Sequence, residues 1–302
     1  MKTPEIFFCK DAFLKVCKEV EKWFNIGMNK QKIRWESAMY PLGTIETRVN
    51  KSPLEILELH EIKRVIITHV FFPPDRFKNF SSGYAKFKPG TDTYFNPIIE
   101  NWIEKYPLLE LFCKLHSHTV NGSGLSEGDL NGHIFNSVDW FRSKGLNTIF
   151  SFLVTPKNKS LNIQCFAPDK DAKIVKVPIN FISHSHPLIK SALSKPYYET
   201  QKGSVWCDKN KSLLKEGFSV VRNNLKLFGW KQYIIKINQT EYIFCLSPQF
   251  PQVGLKLYKV EHQNGKFIFK PSNLPKWWPK SNVLSDYNLV DLANWLKERS
   301  FK

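Results

Sequence analysis

No Cys-x-x-Cys pair occurs in the 302 residues, and the six cysteines at 9, 17, 113, 165, 207 and 245 follow no regular spacing. That excludes cysteine-rich structural zinc modules and redox dithiol motifs, and fits scattered reduced thiols in the core of a cytoplasmic protein. Cys9 and Cys17 are expected on the apolar face of a first helix rather than in a ligand role. No run of eighteen apolar residues is present, so no membrane-spanning helix is expected. The opening stretch MKTPEIFFCKDAFLK breaks its apolar residues with charges and lacks a small-residue cleavage site, so no signal peptide is expected either. Acidic residues are scarce: 27 Asp and Glu face 44 Lys and Arg, for a formal net charge of +17. From Ser191 onward the ratio is 18 basic to 8 acidic. An Arg-rich cluster is missing, however, and so is any nucleic-acid motif. Lysines standing singly among apolar residues suit a solvated face, or an acidic protein partner, better than nucleic acid.

What is present is a folded composition, 42% hydrophobic and 14% aromatic, long enough for one large or two ordinary domains. The chain is organised around residues 109 to 129, LELFCKLHSHTVNGSGLSEGD. On an extended strand His116 and His118 project to the same side. On a helix Ser126 and Asp129 share a face. A loop from Thr119 to Leu125 can fold the helix start back on the strand end, so that two imidazoles and a carboxylate converge. Three such ligands leave one position of a tetrahedral Zn²⁺ open, as a catalytic site requires. The plainer alternative is that Ser126 only caps a helix, with Asp129 completing a capping box.

His-x-His, seven residues, then Ser-x-x-Asp resembles the metal motif of the JAMM (MPN+) zinc metalloproteases. The resemblance implies an α/β, cytidine-deaminase-like sandwich over residues 1–187. It implies Zn²⁺ on His116, His118 and Asp129, a water in the fourth position, and Ser126 donating a hydrogen bond to the developing oxyanion. The family's glutamate general base precedes a Gly-containing strand. ESAMYPLG resembles that segment and assigns the base to Glu36, with Met39 where the first glycine is usual and Glu46 as the rival. The bond implied is an amide or isopeptide at the C-terminus of a ubiquitin-like protein, taken in extended form by strand addition, in deconjugation or in precursor processing. The expected partners are that protein or its conjugate, and conjugation-pathway enzymes. A bacterial ubiquitin-like pathway, as in antiviral defence, suits the two-module chain. A metal-free binding scaffold and a nucleic-acid-associated zinc hydrolase are the alternatives.

Along the chain, helical spacing predicts a helix over Asp11–Phe24 with Asp11 as N-cap, and residues 33–50 read as two short strands turning at Pro41-Leu42-Gly43. Residues 61–72 predict a strand with His69 at its end or in the core. Pro73–Thr93 is expected to lack regular structure and to act as a flap over the metal, with Phe77, Phe80, Tyr84 and Phe87 contacting substrate. Helices are expected over Phe95–Tyr106 and Ser126–Arg142, the second exposing His133. Strands follow at Thr148–Thr155, Leu161–Phe166 and Lys173–Val177. A second His-Ser-His at 184–186 has Tyr197 where aspartate is needed and no apolar strand leading in, so it reads as a linker. Residues 195–302 predict a second, α+β module with a helix at Ser212–Leu225, a run of strands and a final amphipathic helix through Leu284–Leu296. Its HQNG and Trp-Pro elements resemble, weakly, a ubiquitin-conjugating-enzyme fold. Ile268 stands where that fold's cysteine would fall, which implies an inactive binding platform.

Overall fold

A computed structural model describes residues 3–49, 51–52, 54–55, 59–83, 85–88, 91–110, 113–120, 124–130, 150–158, 160–168, 173–227, 229–263 and 266–300. The protein is mixed α/β and divides into two compact units: residues 1–51 with 56–194, and residues 52–55 with 195–302. No helix among the described residues is long and apolar enough to cross a membrane.

Unit 1 opens with strand β1 (Glu5–Cys9), which passes directly into helix α1 (Lys10–Gln31). Ala12, Val16, Val20, Trp23, Phe24 and Gly27 recur every three or four residues and form its buried stripe. Cys9, not Asp11, stands at the N-cap, and it ends a strand instead of lying on the helix. The strand is hard to read because EIFFC is only five residues long. Asp11 falls in the first turn, where its carboxylate complements the helix dipole.

Strand β2 (Ala38–Thr47) runs straight through Pro41-Leu42-Gly43, so the two-strand reading is corrected to one strand. The three residues mark a bulge. Against β3 (Ile62–Phe71) the register slips between Leu42, opposite His69, and Gly43, opposite Ile67. A Cβ at Gly43 would lie 2.2 Å from the Ile66 carbonyl oxygen, which only glycine avoids.

The segment expected to lack structure instead folds as a 3₁₀ turn (Asp75–Phe77) and a hairpin, β4 (Lys78–Phe80) with β5 (Ala85–Phe87). Buried charge anchors it: the Lys78 ammonium meets Glu19 of α1 and Asp75 at 3.0 Å, and Lys22 reaches Asp75 at 2.6 Å. Helix α2 (Thr91–Lys105) precedes β6 (Cys113–Ser117), and α3 is described over Glu127–Asp129. The rest of the predicted 126–142 helix, with His133, lies outside the described residues, as do Tyr84, Asn264 and Gly265. Strands β7 (Phe150–Lys157), β8 (Ser160–Pro168), β9 (Ile174–Val177) and β10 (Ile179–Ile182) follow, then helix α4 (Pro187–Ala192).

Eight strands make one mixed sheet in the order β10-β1-β3-β2-β6-β7-β8-β9. The ligand strand β6 sits inside it, antiparallel to β2 and parallel to β7. Strand β10 corrects the expectation that no strand leads into His184. It pairs parallel with β1 at the far edge, a long-range partnership that local patterning does not show.

In unit 2, helix α5 (Gln201–Gly217) precedes an antiparallel meander: β11 (Ser219–Leu227), β12 (Trp230–Ile237), β13 (Thr240–Leu246), β14 (Lys256–Gln263) and β15 (Lys266–Ser272). Helix α6 (Leu289–Arg299) closes it. The helix expected at 212–225 therefore ends at Gly217, because residues 219–227 pair with β12. Its start is set by Thr200, whose hydroxyl accepts from the Gly203 N–H. Trp206 and Leu214 of α5 and Leu289, Leu292 and Leu296 of α6 share one core with Tyr233, Phe244 and Leu257 of the sheet. The 52–55 segment belongs here: Ser52 donates to the Tyr258 hydroxyl at 2.7 Å, and Glu55 pairs with Lys256 at 2.8 Å.

Gly27→Ala tests how α1 admits the chain that follows it. A Cβ there would lie 2.3 Å from the Ile33 carbonyl oxygen and 2.6 Å from the Trp35 nitrogen. Alanine gains about 1 kcal/mol of helix propensity, but forcing backbone aside costs about 1–3 kcal/mol or more. The clash wins, and a lower urea midpoint is the expected result.

Candidate metal centre

Strand pairing builds the site. Ala38 of β2 faces His116 of β6, so the antiparallel register carried two residues further sets Glu36 opposite His118. The residues between are clamped. Ser117 donates its N–H to the Ser37 carbonyl at 2.8 Å, while the Ser37 N–H donates to Ser117 Oγ at 2.8 Å. The two hydroxyls lie 3.0 Å apart, and both serines are fully buried. His118 leaves the strand with its N–H on the Val154 carbonyl of β7 at 2.9 Å. Both imidazoles therefore hang from a backbone held on two sides.

The opposite wall is the α3 turn. Ser126 is its N-cap, accepting from the Asp129 N–H at 3.2 Å, and its own N–H donates to Asp129 Oδ2 at 2.7 Å. The capping box offered as the plainer reading is thus real, and it aims a ligand. Asp129 Oδ1 lies 3.1 Å from His116 Nε2, Asp129 Oδ2 lies 2.9 Å from His118 Nε2, and the two Nε2 atoms are 3.2 Å apart. Ligands about 2.0–2.1 Å from one tetrahedral zinc stand roughly 3.3 Å from each other. The observed separations, each imidazole measured to a different Asp129 oxygen, are 2.9–3.2 Å and close to that spacing. His116, His118 and Asp129 are all buried and can hold a metal ion.

The electrostatics agree with an anion-and-imidazole cage. Burial disfavours ionised Asp129, but hydrogen bonds from His116, His118 and Ser126 hold its carboxyl far below the usual range. Burial also opposes a charged His118, yet its bond to Asp129 and the Asp129 and Glu36 charges raise its pKa. Glu36 is pushed up to about 7, chiefly by burial, with Asp129 adding to the rise and His118 opposing it.

Of the residues expected in the site, His116, His118, Asp129 and Ser126 come together and Glu36 stands across from His118. The Ser126 hydroxyl, expected to donate to a developing oxyanion, here donates to Asp129 Oδ2 at 2.7 Å and so orients that carboxylate. Among the aromatics expected to meet substrate, Phe77, Phe80 and Phe87 each have an aromatic neighbour. Phe80 is buried against Trp23, ring centroids 4.8 Å apart, and is core rather than substrate surface. Phe87 stacks on Tyr40 at 5.0 Å, and Phe77 packs on Tyr94 at 4.9 Å. Trp35 stacks on Trp23, and the Glu36 N–H donates to the Ser81 carbonyl at 2.7 Å. The hairpin is a brace for the Glu36 segment. Ser37 and Ser117 were missed because buried serines give no periodic signal. His69 stays out of the site, with its ring against Trp102 and Tyr106.

Ser117→Ala removes the acceptor of a buried N–H and the partner of a buried hydroxyl. A loss of about 1–3 kcal/mol in denaturant unfolding is expected, with metal stoichiometry unchanged.

Neither a known protein-family model nor a curated protein sequence matches the chain.

Proposed function

We propose that the protein is a zinc-dependent peptidase or isopeptidase of the JAMM type, cleaving an amide at the C-terminus of a ubiquitin-like protein. One observation carries the reading: His116, His118 and Asp129 converge at 2.9–3.2 Å, and the strand register brings Glu36 opposite His118. Two neutral nitrogens and one carboxylate oxygen suit Zn²⁺, and three protein ligands leave a position open. When bound, the ion supplies Lewis acidity that polarises a carbonyl and lowers the pKa of a water to about 7.

The chain's own groups do the rest. Asp129, oriented by Ser126, supplies the negative charge of the ligand set. Glu36 takes the proton of the attacking water and returns it to the departing amine. The clamp of Ser37 on Ser117 keeps base and ligands in register. An assembled donor set favours this over a metal-free scaffold. The substrate class rests on the motif resemblance, as does a platform role for residues 195–302, whose Ile268 in β15 replaces a reactive cysteine.

The test is incubation of the zinc-loaded protein with ubiquitin-like fusions, read by intact mass. Cleavage after the ubiquitin-like C-terminus, abolished by chelator, is expected. Unchanged cleavage in chelator, or intact fusions throughout, would overturn the proposal.

A further inference from the structure

We propose that Cys9, Asp11 and His184 form a second divalent-metal site, of zinc type, in unit 1. Strands β1 and β10 run parallel with Cys9 beside Ile182, so both chains leave the sheet at one edge. Cys9 ends β1, Asp11 lies in the first turn of α1, and His184 follows β10 by two residues. One ligand atom from each lies within 4.8 Å of the other two. Cys9 is 1% exposed, whereas Asp11 and His184 line a surface hollow of about 580 Å³. The carboxylate and imidazole are thus at the surface, with the sulfur buried within 4.8 Å of both.

The donor set selects the ion. A thiolate, an imidazole and a carboxylate suit borderline-soft Zn²⁺, while Ca²⁺ and Mg²⁺ take oxygen ligands. Lys10 and Lys190 line the same hollow. Thiolate and carboxylate neutralise the ion, and the two ammonium groups then favour an anion at the open fourth position. His186 is not a ligand, because its Nδ1 accepts from the Leu188 N–H and caps α4. The second His-Ser-His of the chain is therefore split between a metal ligand and a helix cap.

Cobalt separates the two centres, since only this one contains sulfur. In the full-length protein two Co²⁺ per chain are expected, with a near-ultraviolet thiolate-to-cobalt charge-transfer band. His118→Ala should bind one ion and keep the band. His184→Ala, an exposed change that spares the core, should bind one ion and lose it, and Cys9→Ser should do the same. A single ion per chain in the wild type without the band, or a band that survives His184→Ala undiminished, would overturn the site. Neither result bears on the His116–His118–Asp129 centre.

Discussion

Glu36→Gln is expected to lower turnover by about 10²–10⁴-fold while leaving zinc content at the His116–His118–Asp129 centre unchanged. The amide has the shape of the carboxyl and cannot take a proton. No ligand is lost, because the donors are the two imidazoles and Asp129. Metal analysis beside kcat/KM is the check, and full activity in the variant would place the base elsewhere. The pH profile makes the test sharper. The base works ionised, so the rate rises as pH passes its pKa, which stands at about 7 with no ion bound. A divalent cation at the adjacent centre favours the carboxylate and moves that limb to lower pH. In Glu36→Gln the limb should vanish from whatever activity remains.

The same residue has a stability signature in the metal-free protein. Its folded pKa is raised from 4.5, so the folded state holds the proton more firmly than the unfolded chain. That contribution is complete below about pH 4.5 and is lost as pH rises through about 7. Glutamine imitates the protonated form. The variant should match wild type near about pH 4 and exceed it near about pH 8. Asp129 has the opposite sign. Its depressed pKa contributes above the ordinary carboxyl value and is surrendered only in acid.

Asp129→Ala is expected to have the other large effect, loss of zinc at this centre and with it catalysis. Zinc at about a thousand times its dissociation constant stabilises the wild type by about 4 kcal/mol, and the variant should lose that gain. It also loses the cap, at about 0.5–2 kcal/mol, since Asp129 serves both the Ser126 N–H and the two imidazoles. Asp129→Asn separates the two roles. Its amide oxygen still accepts from Ser126, but the negative charge the ion needs is gone. Calorimetry at neutral pH should show Asn less stable than wild type when metal-free, because the carboxylate charge is lost, and gaining less from added zinc than wild type does. A zinc-induced rise in Asp129→Ala equal to that of wild type would refute the ligand assignment.

Some of this was legible in one dimension and some was not. His-x-His works as a signal because a strand puts alternate residues on one side, and Ser-x-x-Asp works because a capping box has fixed spacing. Both are local rules, and both groups lie where those rules put them. The hairpin at 78–87 was illegible for the opposite reason. Its aromatic residues Phe80, Tyr84 and Phe87 are spaced as on a helix, yet Phe80 and Phe87 stand on strands because Trp23 and Tyr40, distant in sequence, supply their partners. Pro41-Leu42-Gly43 misled because turn chemistry and bulge chemistry use the same residues, and only the approach of Ile66 distinguishes them.

The sequence by itself determined the ligand types, their order and the faces they occupy, because those follow from backbone periodicity within a few residues. Only the tertiary structure decided that Asp129 meets both imidazoles, that Glu36 lies across from His118, and that Cys9 finds Asp11 and His184. Each depends on which strands become neighbours. That choice is made by burying apolar surface over long separations, and a local pattern carries no record of it.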